Sequence, residues 1–181
     1  HFDYDGNISE NSIIRAMNSK LPTSIRMLDV KQVADDFHAR YSVKSKEYTY
    51  VIDNGRYQNP FTAGLATHIN IPLDEKLMDY AAKQFVGTYD FSAFCGNKNM
   101  KKSTIRCIHR LSVEEMNGEL RFTVTGNGFL HHMVRIIVGT LLEVGRGERS
   151  PESIPELFGN KRAEAGFLAP AKGLCLQEVM Y

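Results

Sequence analysis

The stretch FLHHMVRIIVGTLLEVG, residues 129–145, decides the fold of this chain. From His131 to Val144 its side chains would be apolar on nearly every side of a helix, with Arg135 and Glu143 as the charged exceptions. A helix that is apolar nearly all round is covered by other elements on several sides. This pattern therefore predicts a central helix, around which the rest of the chain is layered.

The segments around this central helix have the patterns of strands and separate helices. Asn117-Gly118, between Ser103–Glu115 and Glu119–Thr125, is the strongest short-range signal for a β-hairpin. Alternating apolar residues predict further strands at Ile25–Val33, Lys44–Asp53 and Gly173–Met180. Capping residues predict helices over Ser9–Lys20, from Asp74 to Phe85, and from Ser150-Pro151 onward. Together these elements predict an α+β fold, with a predominantly antiparallel sheet and the helices packed on one face.

Length and composition limit the classes of protein to which the chain can belong. Its 181 residues fit one domain with a sizeable core. The composition, with 43% hydrophobic and 24% charged residues, is ordinary for a globular protein. The net charge of +1 shows no excess of Lys and Arg, so any basic surface must come from their placement. No stretch reaches the roughly 20 apolar residues that a membrane helix needs. The three cysteines lack metal-ligand spacing and fit a reducing cytoplasm.

Arg135 is the most informative single residue, because its neighbours in the central helix are apolar. Its guanidinium either reaches the surface along its aliphatic stem or is buried beside an anionic group. A buried charge without a partner costs several kcal/mol, so burial would require a carboxylate or a phosphate. The residues alone leave a structural role and a site role open.

Three other groups of residues could contact a ligand or could be ordinary structure. Residues 35–41 mix acidic, basic and aromatic side chains, which suits contacts with a nucleic acid but also a polar loop anchored by Phe37. Tyr48 and Tyr50 share one face of their strand, either as a base-stacking platform or as core. The lysines of the loop Lys98–Lys102 could contact phosphates or could simply be solvated.

The adjacent residues His131 and His132 raise the possibility of a metal site. Neighbouring residues on a helix point about 100° apart, so these two side chains are expected to diverge. Two diverging imidazoles seldom share one ion, and the sequence therefore predicts no metal site at this position.

Several ordered motifs give the chain a resemblance to a known family. The string Phe129–Gly139 is the strongest of them. The others are Asp36–Ser42, Tyr48–Tyr50, Gly87 with Asp90–Phe94, and Ala169–Leu174. With these motifs the chain resembles the tRNA pseudouridine synthase A family over essentially its whole length. The resemblance implies the pseudouridine synthase type of catalytic domain, with residues 1–181 forming its C-terminal portion.

The resemblance implies an isomerase that converts uridine to pseudouridine in tRNA. Members break the glycosidic bond, turn the uracil and rejoin it through carbon, with no cofactor and no metal. Their substrates are uridines of the anticodon stem-loop, at tRNA positions 38–40, bound in a positively charged cleft. The resemblance further implies a cytoplasmic homodimer that has no membrane partner.

The resemblance also implies roles for particular residues. Tyr48 would be the active-site tyrosine that stacks on the target base and takes part in proton transfer. Arg135 would pair with the catalytic aspartate, because an arginine neighbour keeps a carboxylate ionised and nucleophilic. The residues that would contact the RNA are Phe37, His38, Ala39, Arg40, Tyr41, Arg56, Lys98, Asn99, Met100, Lys101 and Lys102.

The family's catalytic aspartate stands in a Gly-Arg-Thr-Asp-x-Gly-Val-His motif, and no Gly-Arg-Thr-Asp string occurs in these 181 residues. The sequence therefore predicts a chain that starts just after the nucleophile and is catalytically inactive alone. Two other interpretations stay open at this point. One is a non-catalytic RNA-binding module, and the other is a generic α+β protein whose similarities are structural only.

Overall fold

The computed structural model describes residues 1–97 and 99–181, which form two compact units. The first unit is His1–Ser42 and the second is Val43–Tyr181. Most of the regular secondary structure lies in the second unit, together with Tyr48 and Arg135.

The first unit contains one helix, α1 (Glu10–Asn18), which begins after Ser9 as its sequence predicts. The strand predicted at Ile25–Val33 is wrong, because this segment pairs with no other strand in the described part of the chain. Instead, the Asn18 side chain makes two hydrogen bonds with the backbone of Met27. Its Nδ2 donates to the Met27 oxygen at 2.9 Å, and its Oδ1 accepts from the Met27 N–H at 2.8 Å. Leu28 is 88% exposed. The alternating apolar residues of this segment therefore do not form a buried face, which would hold a strand in place.

The second unit is built on one sheet, and its hairpin follows the sequence prediction. The strands are β1 (Ser45–Asp53), β2 (Thr67–His68), β3 (Gly87–Asp90), β4 (Ile105–Met116), β5 (Glu119–Gly126) and β6 (Leu174–Met180). Their order is β2-β1-β5-β4-β3, β6 also pairs with β1, and each pairing is antiparallel except β1 with β2. Asn117 and Gly118 both have positive φ, which is the backbone that a tight two-residue hairpin turn requires.

Two α-helices pack against this sheet. The first, α2 (Glu75–Lys83), begins at Asp74, whose carboxylate accepts a hydrogen bond from the Leu77 N–H at 2.9 Å. The second, α3 (Met133–Gly145), is the predicted central helix, and all its residues are buried except Arg135 and Glu143. Short 3₁₀ helices occupy Ser92–Phe94, Pro151–Leu157, Arg162–Glu164 and Ala171–Gly173.

The core lies on one face of the sheet. Along β5, Leu120, Phe122 and Val124 are buried, while Arg121 between them is exposed. The buried residues of the sheet form one cluster with those of α2 and α3. This arrangement confirms the predicted α+β class with a mostly antiparallel sheet. Within the described residues, no helix is both long enough and apolar enough to cross a membrane.

Candidate functional site

Arg135 is held by the backbone of the segment that precedes β6. Its Nε donates a hydrogen bond to the Ala169 oxygen at 2.6 Å, and the Ala169 N–H donates to the Arg135 oxygen at 3.2 Å. Within the described residues, neither terminal nitrogen of the guanidinium has a hydrogen-bond partner, and no carboxylate is paired with it. The side chain is half-buried. Its stem is therefore anchored, while the charged end is left to interact with an anion.

Tyr50 lies beside this arginine in the core. Its hydroxyl bonds the Pro170 oxygen at 2.8 Å and the Thr67 hydroxyl at 2.7 Å. Burial raises the pKa of Tyr50, against the opposing effects of the Thr67 hydrogen bond and the nearby Arg135 charge. The sequence allowed Tyr50 to be either a core residue or part of a base-stacking platform. Tyr50 is completely buried and is therefore a core residue.

Tyr48 lies two residues earlier on the same face of β1 and is only half-buried. Its ring meets the Phe129 ring edge-to-face, with 5.2 Å between centroids. It pairs with Val124 on β5 and with the partly exposed Leu176 on β6. Of the two tyrosines, Tyr48 alone has ring surface that a ligand could reach.

Two histidines at the start of α3 form a feature that the sequence did not reveal. His132 has a left-handed backbone with φ of 63°, so α3 starts at Met133. The His131 and His132 rings therefore stack at 3.6 Å, and the predicted divergence is wrong. Desolvation, then the neighbouring His131 and Arg135, lower the pKa of His132. Gly96 makes this packing possible, because a Cβ there would lie 2.7 Å from His132 Nδ1.

The predicted basic loop is only partly described, since Lys98 lies outside the described residues. Asn99, Lys101 and Lys102 are exposed. Met100 is partly buried and packs against the core, so its side chain anchors the loop. Lys101 and Lys102, which follow this anchor, are exposed and available to a phosphate backbone.

Arg56 is exposed in the loop that follows β1, with its guanidinium carbon 5.3 Å from the centre of the Tyr57 ring. Asp53 organises this loop, because its buried carboxylate accepts hydrogen bonds from the Asn59 N–H at 2.8 Å and the Gly55 N–H at 3.0 Å. The Asn59 bond is the largest of the effects that lower the pKa of Asp53. No motif in the sequence indicates this role of Asp53.

In the first unit, the predicted contact residues 37–41 form a turn with its own ring cluster. The His38 ring lies 4.3 Å from that of Tyr41 and 4.5 Å from that of His1. The His38 N–H donates to Ser42 Oγ at 2.9 Å. Phe37, His38 and Ala39 are partly buried, whereas Arg40 and Tyr41 are exposed, with Tyr41 at 73%. This turn therefore presents a cation and an aromatic ring together.

No group of three or more His, Cys, Asp or Glu side chains able to hold a metal ion occurs in the part of the chain that the structure describes. A depression of about 470 Å³ lies between α2 and β4, lined by residues such as Asp79, Lys83 and Arg110. Neither Arg135 nor Tyr48 lines this depression, so it is separate from the candidate site.

The sheet and the central helix correspond to a known class of enzyme. The family model described as "tRNA pseudouridine synthase" matches residues 81–181, which include the end of α2, the hairpin, α3 and β6. The matched region contains Arg135 and the Ala169 segment that holds it. The class of protein is therefore a pseudouridine synthase, and its members are isomerases.

Individual relatives extend this match to the whole chain. The chain is 44% identical over 182 residues to "tRNA pseudouridine synthase A" of Brevibacillus brevis, covering 100% of this chain and 75% of that protein. It is 41% identical over 180 residues to the same-named protein of Staphylococcus saprophyticus, covering 99% of this chain and 67% of that protein. A third, of Shouchella clausii, is 43% identical over 182 residues, with 100% and 70% covered. The chain belongs to the tRNA pseudouridine synthase A family, which confirms the resemblance carried by its motifs.

Proposed function

We propose that this chain is the C-terminal portion of an enzyme that converts uridine to pseudouridine in the anticodon stem-loop of tRNA. The observation that carries the proposal is Arg135, whose Nε is bound to Ala169 while its terminal nitrogens have no partner among the described residues. A fixed guanidinium with a free end is suited to hold a carboxylate in its ionised state. An ionised carboxylate is the form that acts as a nucleophile.

In this proposal the nucleophile is an aspartate that lies outside the 181 residues, since they contain no Gly-Arg-Thr-Asp string. The target uridine leaves the base stack, because an enzyme that works on a base must first expose it. The accessible ring of Tyr48 stacks on that uracil, and the tyrosine takes part in proton transfer. No cofactor or metal is needed for these steps.

Three groups of residues bind the tRNA in this proposal. They are residues 37–41, Arg56, and the loop from Lys98 to Lys102, in which Met100 serves as the anchor. With a net charge of only +1, such local clusters supply the positive potential that phosphates require. The full-length enzyme acts in the cytoplasm as a homodimer.

Activity is tested with the 181-residue chain, with the full-length protein and with its Arg135→Ala variant on an unmodified anticodon arm. We expect no pseudouridine from the chain alone. The rate should fall by about 100-fold or more in the variant, because an electrostatic partner of the reacting group is lost. The control is Arg110→Ala, which removes an exposed arginine that is paired with Glu114. Turnover by the chain alone, or full activity of Arg135→Ala, would contradict the proposal.

RNA binding is tested through its salt dependence. Replacing Lys101 and Lys102 together by Ala should weaken tRNA binding and reduce the slope of log affinity against log salt by about 0.7–0.9 per lost contact. Lys83→Ala is the control, because this lysine is paired with Asp79 on α2. An unchanged slope would remove this loop from the RNA-binding surface. Binding with no turnover by the full-length protein would favour the alternative of a non-catalytic RNA-binding module.

A further inference from the structure

We propose that Tyr50 is a positioning residue that fixes the guanidinium of Arg135 through the Ala169-Pro170 segment. The inference rests on the catalytic role proposed for Arg135. Tyr50 does not touch the arginine by a hydrogen bond of its own. It holds the segment to which the arginine is bound.

The directions of the hydrogen bonds around Tyr50 follow from the groups involved. The Pro170 oxygen can only accept, so the Tyr50 hydroxyl donates its proton there, at 2.8 Å. The Thr67 hydroxyl must then donate to the Tyr50 oxygen, at 2.7 Å. Both side chains are buried, with Tyr50 fully so and Thr67 at 6% exposure. The hydroxyl therefore has a single possible orientation, and the Pro170 carbonyl has a fixed partner.

The next step of the linkage is rigid because of the proline. Pro170 has φ of −53° and ψ of 151°, and its ring restricts φ to values near this one. Ala169 and Pro170 share a planar peptide bond. With φ held by the ring, only ψ of Pro170 separates the two carbonyl groups, so fixing the Pro170 oxygen restricts the direction of the Ala169 oxygen, which accepts the Arg135 Nε–H at 2.6 Å. The Ala169 N–H closes the loop by donating back to the Arg135 oxygen at 3.2 Å.

The segment is also pressed against Tyr50 itself. A Cβ on Gly173 would lie 2.9 Å from the Tyr50 ring and 2.7 Å from the Val51 oxygen. The packing thus leaves little room for residues 169–173 to shift relative to β1. Tyr50 contributes both the ring against which the segment packs and the hydroxyl that orients its carbonyl.

A tyrosine is a costly residue for a fully buried position. Phenylalanine would fill the same space and keep the edge-to-face contact with Phe122, at 6.4 Å between ring centroids. A buried hydroxyl must be hydrogen-bonded to offset its loss of water, so its presence here is explained by the bonds that it makes. One of these bonds is made to Pro170, the immediate neighbour of the residue that binds Arg135.

The test uses the full-length protein and the variant Tyr50→Phe, which removes the hydroxyl and keeps the ring. Single-turnover rates at saturating enzyme are measured together with tRNA affinity and stability in urea. We expect the rate to fall about 10–100-fold, because small displacements of a catalytic group have effects of this size. The affinity for tRNA should stay within about two-fold, since the proposed RNA contacts lie elsewhere.

Thr140→Val is the matched control for a merely structural role. Thr140 Oγ1 donates to the Ile136 oxygen and accepts from the Gly166 N–H, both at 2.9 Å, and is fully buried. It therefore joins α3 to the same C-terminal segment without touching Arg135. We expect Thr140→Val to lose stability as Tyr50→Phe does. Its single-turnover rate, measured per amount of folded protein, should stay within about two-fold of the wild-type rate.

A double-mutant cycle with Arg135→Lys completes the test, because lysine has no Nε–H to bind Ala169. Tyr50→Phe should then cost little in addition, so that the two effects are not additive. The inference is overturned if Tyr50→Phe keeps the wild-type rate, or loses no more than Thr140→Val, while Arg135→Ala is inactive. Full activity of Arg135→Ala would instead overturn the catalytic role of the arginine. The failure of the positioning role of Tyr50 and the failure of the proposed function can thus be told apart.

Discussion

Arg135 illustrates how a charged residue is accommodated in an otherwise apolar helix. Its neighbours on α3 are buried, but its own side chain is half-buried and turned to the Ala169 carbonyl. The stem thus contributes apolar contacts, while one polar atom is satisfied by backbone. The sequence allowed either a guanidinium at the surface or a buried one beside an anionic group. The structure combines the two, because the stem is anchored and the end of the guanidinium is free.

Tyr48 allows the stacking and proton-transfer roles to be separated. Its hydroxyl makes no hydrogen bond within the described residues, so Tyr48→Phe should change the free energy of unfolding by less than about 0.5 kcal/mol. In the full-length enzyme Tyr48→Phe should keep tRNA affinity but lower the single-turnover rate by about 100-fold or more, as expected for loss of an acid–base group.

Tyr48→Leu is the companion variant, because it removes the ring as well. It should in addition weaken binding of the anticodon arm by a factor that corresponds to about 1–3 kcal/mol of base stacking. Urea denaturation, filter binding and rate measurements on both variants check the prediction. Equal affinity of the Phe and Leu variants would exclude stacking on this residue.

Asp53 makes a pH-dependent contribution to stability. Its pKa is lowered in the folded state, first by the Asn59 N–H, so the carboxylate stabilises the fold above its unfolded pKa of about 3.9. This contribution is lost as pH falls through the lowered folded pKa. Asp53→Asn should therefore cost about 1–3 kcal/mol near neutral pH, and the difference from wild type should shrink as pH approaches 3. Urea denaturation at several pH values measures it. A difference that is constant with pH would contradict the assignment.

At the scale of elements, α3 is packed against the backbone of residues 166–169 more closely than side chains would permit. A Cβ on Gly139 would clash with the Phe167 oxygen and would lie 2.8 Å from its carbonyl carbon. The glycine in the middle of the helix thus has a packing function, which offsets its poor helix propensity. This close approach brings the C-terminal segment, and with it Ala169, up to Arg135.

Gly139→Ala should consequently destabilise the protein by about 1–3 kcal/mol, even though alanine favours helices. Gly145→Ala on the same helix is the matched control. Its Cβ would meet the Met78 thioether, 2.6 Å from the sulfur, and this flexible side chain can move aside. Thermal and urea denaturation of the two variants provide the comparison. Equal or greater stability of Gly139→Ala would show that the segment is not held against α3.

The elements that sequence analysis predicted correctly are those governed by local rules. Asp74 caps α2 and Asn117-Gly118 turns the hairpin, because each acts on its immediate neighbours. The strand predicted at Ile25–Val33 is wrong, since alternation describes a strand's faces but supplies no partner. For the site, Arg135 could be located from its apolar neighbours. Its bond to Ala169 could not, because the two residues are 34 positions apart in the chain.

At the scale of the whole molecule, the sheet has an exposed edge at β6. Among the described residues β6 pairs with β1 and with no second strand, so one row of its backbone groups is available to another chain. Leu176, at the middle of this strand, is 47% exposed. A free edge combined with an exposed apolar side chain favours association of sheets between molecules.

We therefore expect the purified 181-residue chain to self-associate in a concentration-dependent manner. Leu176→Lys should shift it towards monomer, because a lysine on an edge strand disfavours edge-to-edge pairing. Tyr80→Lys is the control: Tyr80 is exposed to a similar extent, at 50%, but it lies on α2, where no strand edge is available. Light scattering coupled to size exclusion, over a range of protein concentrations, gives the mass of each variant. If the wild-type chain stays monomeric, or if both lysine variants dissociate it equally, β6 is not the surface through which molecules associate.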